Sequence, residues 1–184
     1  MLKRINTQIN RLSSLVSDLL EAGQIGEQQQ LLRREEYFFN EMVEDIVAEI
    51  QRTTFTHQII IEKNPQVSFL GDRERTSQVL SNLLSNAIKY SSGQDKVIVK
   101  VDVEDQNLIC SVIDFGLGIP VERQAHLFER FYRVPADNNY KVSGFGLGLY
   151  ISAEIIKRLH GKIWLSSTPG KGSAFSFSLP IKHD

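Results

Sequence analysis

The sequence predicts an α+β fold, a two-layer sandwich in which helices cover one face of a mixed sheet and a long helix leads in. Three observations carry this expectation. Short alternating strands come in pairs joined by turn residues, as in KVIVKVDV-EDQN-LICSVID over 96–114 and in KIWLSS, TPGKG and AFSFSLP over 162–180. A period of two that closes on a turn is the pattern of a half-buried hairpin. Stretches of helical periodicity at about 39–52, 73–90 and 147–160 lie before and between these pairs, and hairpins mixed with helices give segregated layers rather than a doubly wound parallel sheet. Finally, Leu2, Ile5, Ile9, Leu12, Val16 and Leu19 are spaced alternately three and four apart, an a/d seam suited to packing on another helix.

Along the chain, the seam predicts a helix over residues 1–24. It fades at EAGQIGEQQQ (21–30), which holds two glycines and a glutamine run, so 25–38 reads as a connector. The seam could instead pack on the chain's own globular part, but the connector separates the two. Residues 39–184 form the globular unit. Met42, Val43, Ile46, Val47 and Ile50 give the first helix one apolar face. QIIIE (58–62) and VSFL (67–70) are short strands, and Gly71-Asp72 is a turn with Asp72 placed to cap the next helix. The stretch 121–146 is irregular.

Composition narrows the function. The 184 residues are 41% hydrophobic with a formal net charge of −1, enough for one packed domain and no electrostatic basis for binding nucleic acid or an anionic membrane. The single cysteine, Cys110, lies in an apolar run; an internal disulfide is excluded and a reducing, cytoplasmic setting is expected. No apolar run approaches the ~20 residues of a membrane helix, and any membrane anchor is expected outside this sequence. None of the four histidines has metal-ligand spacing, and acyl-transfer signatures are absent.

Four stretches can carry chemistry. In RTSQVLSNLLSNAIKYS (75–91), Asn82, Asn86 and Lys89 fall on the face opposite Val79, Leu80, Leu83, Leu84, Ala87 and Ile88. Two amides and an ammonium on one stripe suit magnesium and phosphate; the alternative is a solvated polar face, although Asn is a poor helix former to place twice mid-helix. DFGLGIP (114–120) puts a carboxylate and two glycines at the end of an apolar strand. That suits close backbone approach to a ligand and acceptance from an exocyclic amino group, or a plain glycine turn. The Asp-Phe-Gly of protein kinases would need a His-Arg-Asp loop and a strand lysine, and the sequence has neither. GFGLGLYI (144–151) places glycines before a helix N-terminus, an anion-binding arrangement whose spacing is neither that of a dinucleotide fingerprint nor that of a P-loop. Between them, LFERFYRVPADNNYKVSG opens a long segment, 127–146, that reads as a functional lid or a surface loop.

Taken in order, SNLLSNAIKYS, DFGLGIP, LFERFYR, GFGLGL and GKGSAFSFSLP strongly resemble the N, G1, F and G2 boxes and closing strand of the catalytic ATP-binding domain of two-component sensor histidine kinases. That domain has the GHKL (Bergerat) type of fold. Residues 1–24 resemble the second helix of that family's dimerisation hairpin. The resemblance implies ATP and magnesium as cofactors, with Asn86 as the magnesium-bearing and catalytic asparagine and Asn82 assisting it. Lys89 is implied as a phosphate contact and Tyr90 as a wall against the nucleotide. Asp114 is implied as the acceptor for the adenine amino group, with Gly116 and Gly118 making room and Ser173 beside it. Arg133 and Arg130 are implied as lid arginines near the γ-phosphate, and Gly144, Gly146, Leu147 and Gly148 as the cradle and hinge.

One departure matters. The family's phosphoacceptor is a histidine followed by an acidic residue on the first hairpin helix. No histidine here has that context, and the chain opens on the second helix. The resemblance therefore implies a fragment that transfers the γ-phosphoryl group of Mg-ATP to a histidine on another hairpin, without phosphorylating itself. The implied partners are that hairpin, a response regulator receiver domain, and a second copy through residues 1–22. Other ATPases and serine kinases of the same fold are disfavoured by the heptad helix, the connector and the Phe-rich box. A nucleotide-binding dimerisation module without catalysis is disfavoured by the intact Asn, Asp and Gly positions.

Overall fold

The structure, a computed structural model, describes residues 32–91, 93–134 and 145–181. The expected N-terminal helix, the start of the connector and Gly144 lie outside the described residues. In chain order the elements are β1 (Glu35–Phe38), α1 (Phe39–Thr53), β2 (Gln58–Lys63), β3 (Ser68–Gly71), α2 (Arg73–Tyr90), β4 (Lys96–Glu104) and β5 (Asn107–Asp114). They are followed by α3 (Val121–Gln124), α4 (Gly148–Arg158), β6 (Lys162–Thr168) and β7 (Gly172–Pro180). The α+β expectation is met. A five-stranded sheet of order β2-β4-β5-β7-β6 carries the fold, beside a two-stranded ribbon of β1 and β3. The sheet is mixed, because β2 runs parallel to β4 while the other pairs are antiparallel.

Strict alternation makes the sheet two-faced. On β5, Leu108, Cys110, Val112 and Asp114 are buried and their neighbours are not. Registered beside them are Val97, Val99 and Val101 of β4 and Phe175, Phe177 and Leu179 of β7. The helices α1, α2 and α4 pack above, contributing Phe39, Met42, Val43, Val79, Leu80, Leu83, Leu84, Ile151, Ile155 and Ile156 to one core. A run of aromatic contacts crosses it: Tyr37 meets Phe69 edge-on at 5.7 Å, Phe69 meets Phe39 at 6.3 Å, and Phe39 meets Phe177 at 6.5 Å. Asp105 and Gln106 both take positive φ, at 47° and 64°, the primed turn that fits the twist of a two-residue hairpin.

Three features differ from the sequence reading. Glu35–Phe38, expected in the connector, is strand β1, paired antiparallel with β3. Its two glutamates hide the alternation, and its stability comes from a partner some thirty residues away. A single turn of helix, α3, interrupts the stretch expected to be irregular. Helix α4 ends at Arg158, two residues before the expected end, because His160 sits at φ 58°. Among the described residues no helix is long and apolar enough to cross a membrane.

Asp72 caps α2 as expected: its Oδ1 accepts from Arg75 N at 3.0 Å. Its Oδ2 accepts from Arg33 N at 3.1 Å, so the same carboxylate pins the chain where it enters the domain. Asp72→Ala is expected to lower the unfolding free energy by about 1–2 kcal/mol, read as a shift in urea midpoint at unchanged slope.

Candidate functional site

The period of two that builds the core also aims Asp114 into the helical layer. It is the last residue of β5 and faces the same side as Val112, at 4% exposure. The Gly116 N–H donates to its Oδ1 at 2.9 Å. Burial pushes the Asp114 carboxyl above its ordinary value, opposed by the backbone N–H groups of Gly116 and Ser173. Ser173 stands directly across on β7, and its hydroxyl lies 3.0 Å from that of Ser167. The loop after Asp114 is stitched to β6. Ile119 N donates to Ser167 Oγ at 2.9 Å, and Gln124 Nε2 donates to the carbonyls of Ile119 and Ser167 at 2.8 and 3.1 Å. Gly118 packs on Thr168 and Pro169 rather than on a helix.

Helix α2 runs past this carboxylate. Its polar stripe is touched at both ends by a glycine loop. At the C-terminal end a β-carbon on Gly116 would lie 2.3 Å from Tyr90 O and 2.7 Å from Ser91 Cα, so only glycine allows this approach. Eight residues back, about 12 Å along the axis, Asn82 Oδ1 would lie 2.4 Å from a β-carbon on Gly148. Asn82 Nδ2 also donates to Ser152 Oγ at 2.9 Å, tying α2 to α4. Asn86 and Lys89 lie between the two loops. Asn86 is half-buried and Lys89 exposed, while Tyr90 is 50% exposed.

Helix α4 begins at Gly148 with Leu147 at its N-cap, and no side chain caps it. Among the described residues nothing is shown capping its first N–H groups, and such a helix start, with the positive end of the dipole behind it, suits an anion. Gly146, at φ +71°, sits where a β-carbon would meet Tyr132 O at 2.4 Å. The Phe131 N–H donates to Gly146 O at 3.0 Å, joining the start of the lid to its end. The Arg130 guanidinium stands over the rings of Phe131 and Tyr150, at 5.3 and 5.7 Å. Arg133 is exposed on the same segment. The structure thus brings Tyr90, Asp114, Gly116 and Ser173 together at one end of the α2 stripe. Asn82, Leu147 and Gly148 meet at the other end, and Arg130 lies over the first turn of α4. Sequence reasoning missed Ser152 and Ser167, which hold the two loops, because their partners lie far along the chain.

Residues 71–183 match the family described as Histidine kinase-, DNA gyrase B-, and HSP90-like ATPase. The chain belongs to this family. Within it, the domain is of the histidine kinase catalytic, ATP-binding type. It is 33% identical to the sensor histidine kinase RppB of Synechocystis over 98% of this chain, spanning 40% of RppB. The fold matches the Acinetobacter baumannii histidine kinase AdeS with a TM-score of 0.81 at 29% identity, covering 99% of this chain and 84% of that one. It also matches the histidine kinase ThkA, solved in complex with the response regulator protein TrrA, with a TM-score of 0.78 at 27% identity, covering 98% and 51% of the two chains. The chain spans about two-fifths of the length of its curated relative.

Proposed function

We propose that this chain binds Mg-ATP between α2 and the two glycine loops and directs the γ-phosphoryl group to a histidine on a dimerisation hairpin. The observation that carries this reading is that the Gly116 and Gly148 loops close on opposite ends of one helical stripe, with Asn86 midway and Lys89 one residue before the Gly116 contact. A nucleotide is an apolar base joined to a chain of anions, and this surface offers a buried acceptor at one end and an uncapped helix N-terminus at the other.

The residues present fit both groups. Asp114 accepts from the adenine amino group with its position set by the Gly116 N–H. Gly146, Leu147 and Gly148 present backbone N–H groups to phosphate, and Gly118 keeps the base-side loop against β6. Among the described residues no cluster of His, Cys, Asp or Glu forms a carboxylate or imidazole cage. As the family resemblance implies, the Asn86 amide oxygen would hold magnesium, with phosphate and water as its other ligands, while Asn82 braces α2 against α4. ATP supplies the phosphoryl group, and magnesium offsets its charge. Lys89, Arg130 and Arg133 neutralise phosphate charge, in keeping with a reaction governed by positioning and electrostatics. A response regulator receives the phosphoryl group from the hairpin, a second copy is recruited through residues 1–22, and the chain works in the cytoplasm.

Calorimetric titration with ATP, with and without magnesium, tests the site. Binding that strengthens at least tenfold with magnesium supports it. Equal affinity in both conditions removes the metal from Asn86.

A further inference from the structure

None of the four histidines has metal-ligand spacing, but one of them braces the end of the helix that carries the proposed nucleotide site. His57 lies in the turn between α1 and β2 at 9% exposure, and its Nε2 meets the hydroxyl of Ser91, a fully buried residue, at 2.8 Å. Ser91 is the C-cap of α2, and its hydroxyl also donates to Ala87 O at 2.6 Å. A carbonyl cannot donate, so the one hydroxyl proton is committed to Ala87. The His57–Ser91 contact then requires the proton on Nε2 of the imidazole. On the other side, Nδ1 lies 2.9 Å from Thr56 Oγ1. That hydroxyl can donate or accept, so it leaves the assignment of Nε2 unchanged.

The turn that carries His57 is itself fixed. Gln51, near the end of α1, donates from Nε2 to the carbonyls of Thr54 and His57 at 3.0 Å each and accepts from Ile59 N at 2.8 Å. Gln58 N donates to Asp95 O at 2.6 Å, and Gln94 N to Ser91 O at 3.0 Å. The result is a brace running from α1 through His57 to the C-cap of α2. Ser91 ends that helix anyway through its own bonds to Ala87; the imidazole adds a lateral hold. Ser91 Cα and Tyr90 O are the atoms on which Gly116 closes, and the Gly116 N–H orients the Asp114 carboxylate.

We infer that His57 is a positioning residue for the base end of the nucleotide site, acting through Ser91 and Gly116 on Asp114. The inference rests on the nucleotide site proposed above. Gly116 lies too close to Tyr90 O and Ser91 Cα to admit even a β-carbon, so a displacement of Ser91 bears on Gly116, and the acceptor geometry at Asp114 shifts with it. His57 touches no ligand, so its influence falls on recognition of the base and leaves the phosphate end unchanged.

The test is calorimetric titration of the parent chain and its variants with ADP, GDP and inorganic tripolyphosphate, each with magnesium, alongside thermal melts. His57→Phe is expected to weaken ADP about tenfold and to narrow the preference for ADP over GDP by a similar factor. Tripolyphosphate should bind within about twofold of the parent. His57→Gln, whose amide N–H can replace Nε2–H, is expected to restore ADP binding to within about twofold. Ser91→Ala serves where His57→Phe does not fold. It should show the same base-selective loss, and the double variant should lose no more than either single change, as two members of one contact must. Unchanged ADP affinity in both single variants, or equal losses for ADP and tripolyphosphate, overturns the inference. A parent chain that binds none of the three overturns the nucleotide site itself, a result distinguishable from a parent that binds and variants that match it.

Discussion

Asp114→Asn is expected to weaken ATP binding about a hundredfold while leaving the ligand-free fold at least as stable as the parent. The substitution keeps the size of the side chain and turns one acceptor oxygen into an NH2 group. The buried carboxylate already faces N–H groups from Gly116 and Ser173, so a base amino group brings a further donor to a site that no longer has an acceptor for it. A hydrogen bond to a charged group contributes about 1.5–3 kcal/mol, and the upper end corresponds to about two orders of magnitude in affinity.

The stability side follows from the direction of the titration. Burial raises the folded-state value of Asp114 above that of the unfolded chain, so between the two the native state binds more protons. Stability from this group is fully present below the unfolded value and is lost as pH rises through the folded one. At neutral pH the charged carboxylate is a cost to the fold that Asn removes, so the variant should not melt lower. Acidification converts the carboxylate to a donor. The affinity gap between parent and variant should therefore begin to close at a pH above that of an ordinary aspartate. Thermal melts and titrations of both proteins across pH check each part. A variant that binds as the parent does would move the base elsewhere.

Asn86→Ala is expected to abolish magnesium-dependent ATP binding, a loss of at least a hundredfold, with no fall in melting temperature. Asn86 lies mid-helix and half-buried on α2, and alanine is the better helix former by roughly 0.6 kcal/mol. The fold therefore loses nothing when the amide goes. Asn82→Ala should behave differently, because Asn82 donates to Ser152 across to α4. It takes that partner from the buried Ser152 hydroxyl and lowers stability by about 1–2 kcal/mol. Melting separates the two asparagines, and titration with and without magnesium assigns the metal contact. Equal loss of melting temperature in both variants would make Asn86 a structural residue.

Much of this was legible because the relevant signals are local. Helix α2 spans the residues its periodicity marks, since Asp72 sets its start and the apolar face of Val79–Leu80–Leu83–Leu84–Ala87 its extent. Strand β5 reads directly because alternation fixes its two faces, and the same alternation explains why Asp114 points inward. Strand β1 was hidden, as its pairing with β3 is a long-range contact and its glutamates break the pattern. The brace from Gln51 through His57 to Ser91 leaves no sequence signal at all, because its members are ordinary polar residues made special only by the hydrogen bonds between them. The stacking of Arg130 on Phe131 and Tyr150, which sets it over the first turn of α4, was likewise invisible.

Phosphotransfer in trans tests the central claim most directly. The chain is mixed with an isolated histidine-bearing dimerisation hairpin and γ-labelled ATP with magnesium, and each polypeptide is followed separately. The account predicts acid-labile, base-stable label on the hairpin, none on this chain, and none anywhere with Asn86→Ala. Acid-labile label on this chain alone, or an unlabelled hairpin in the presence of a chain that binds Mg-ATP, would contradict it.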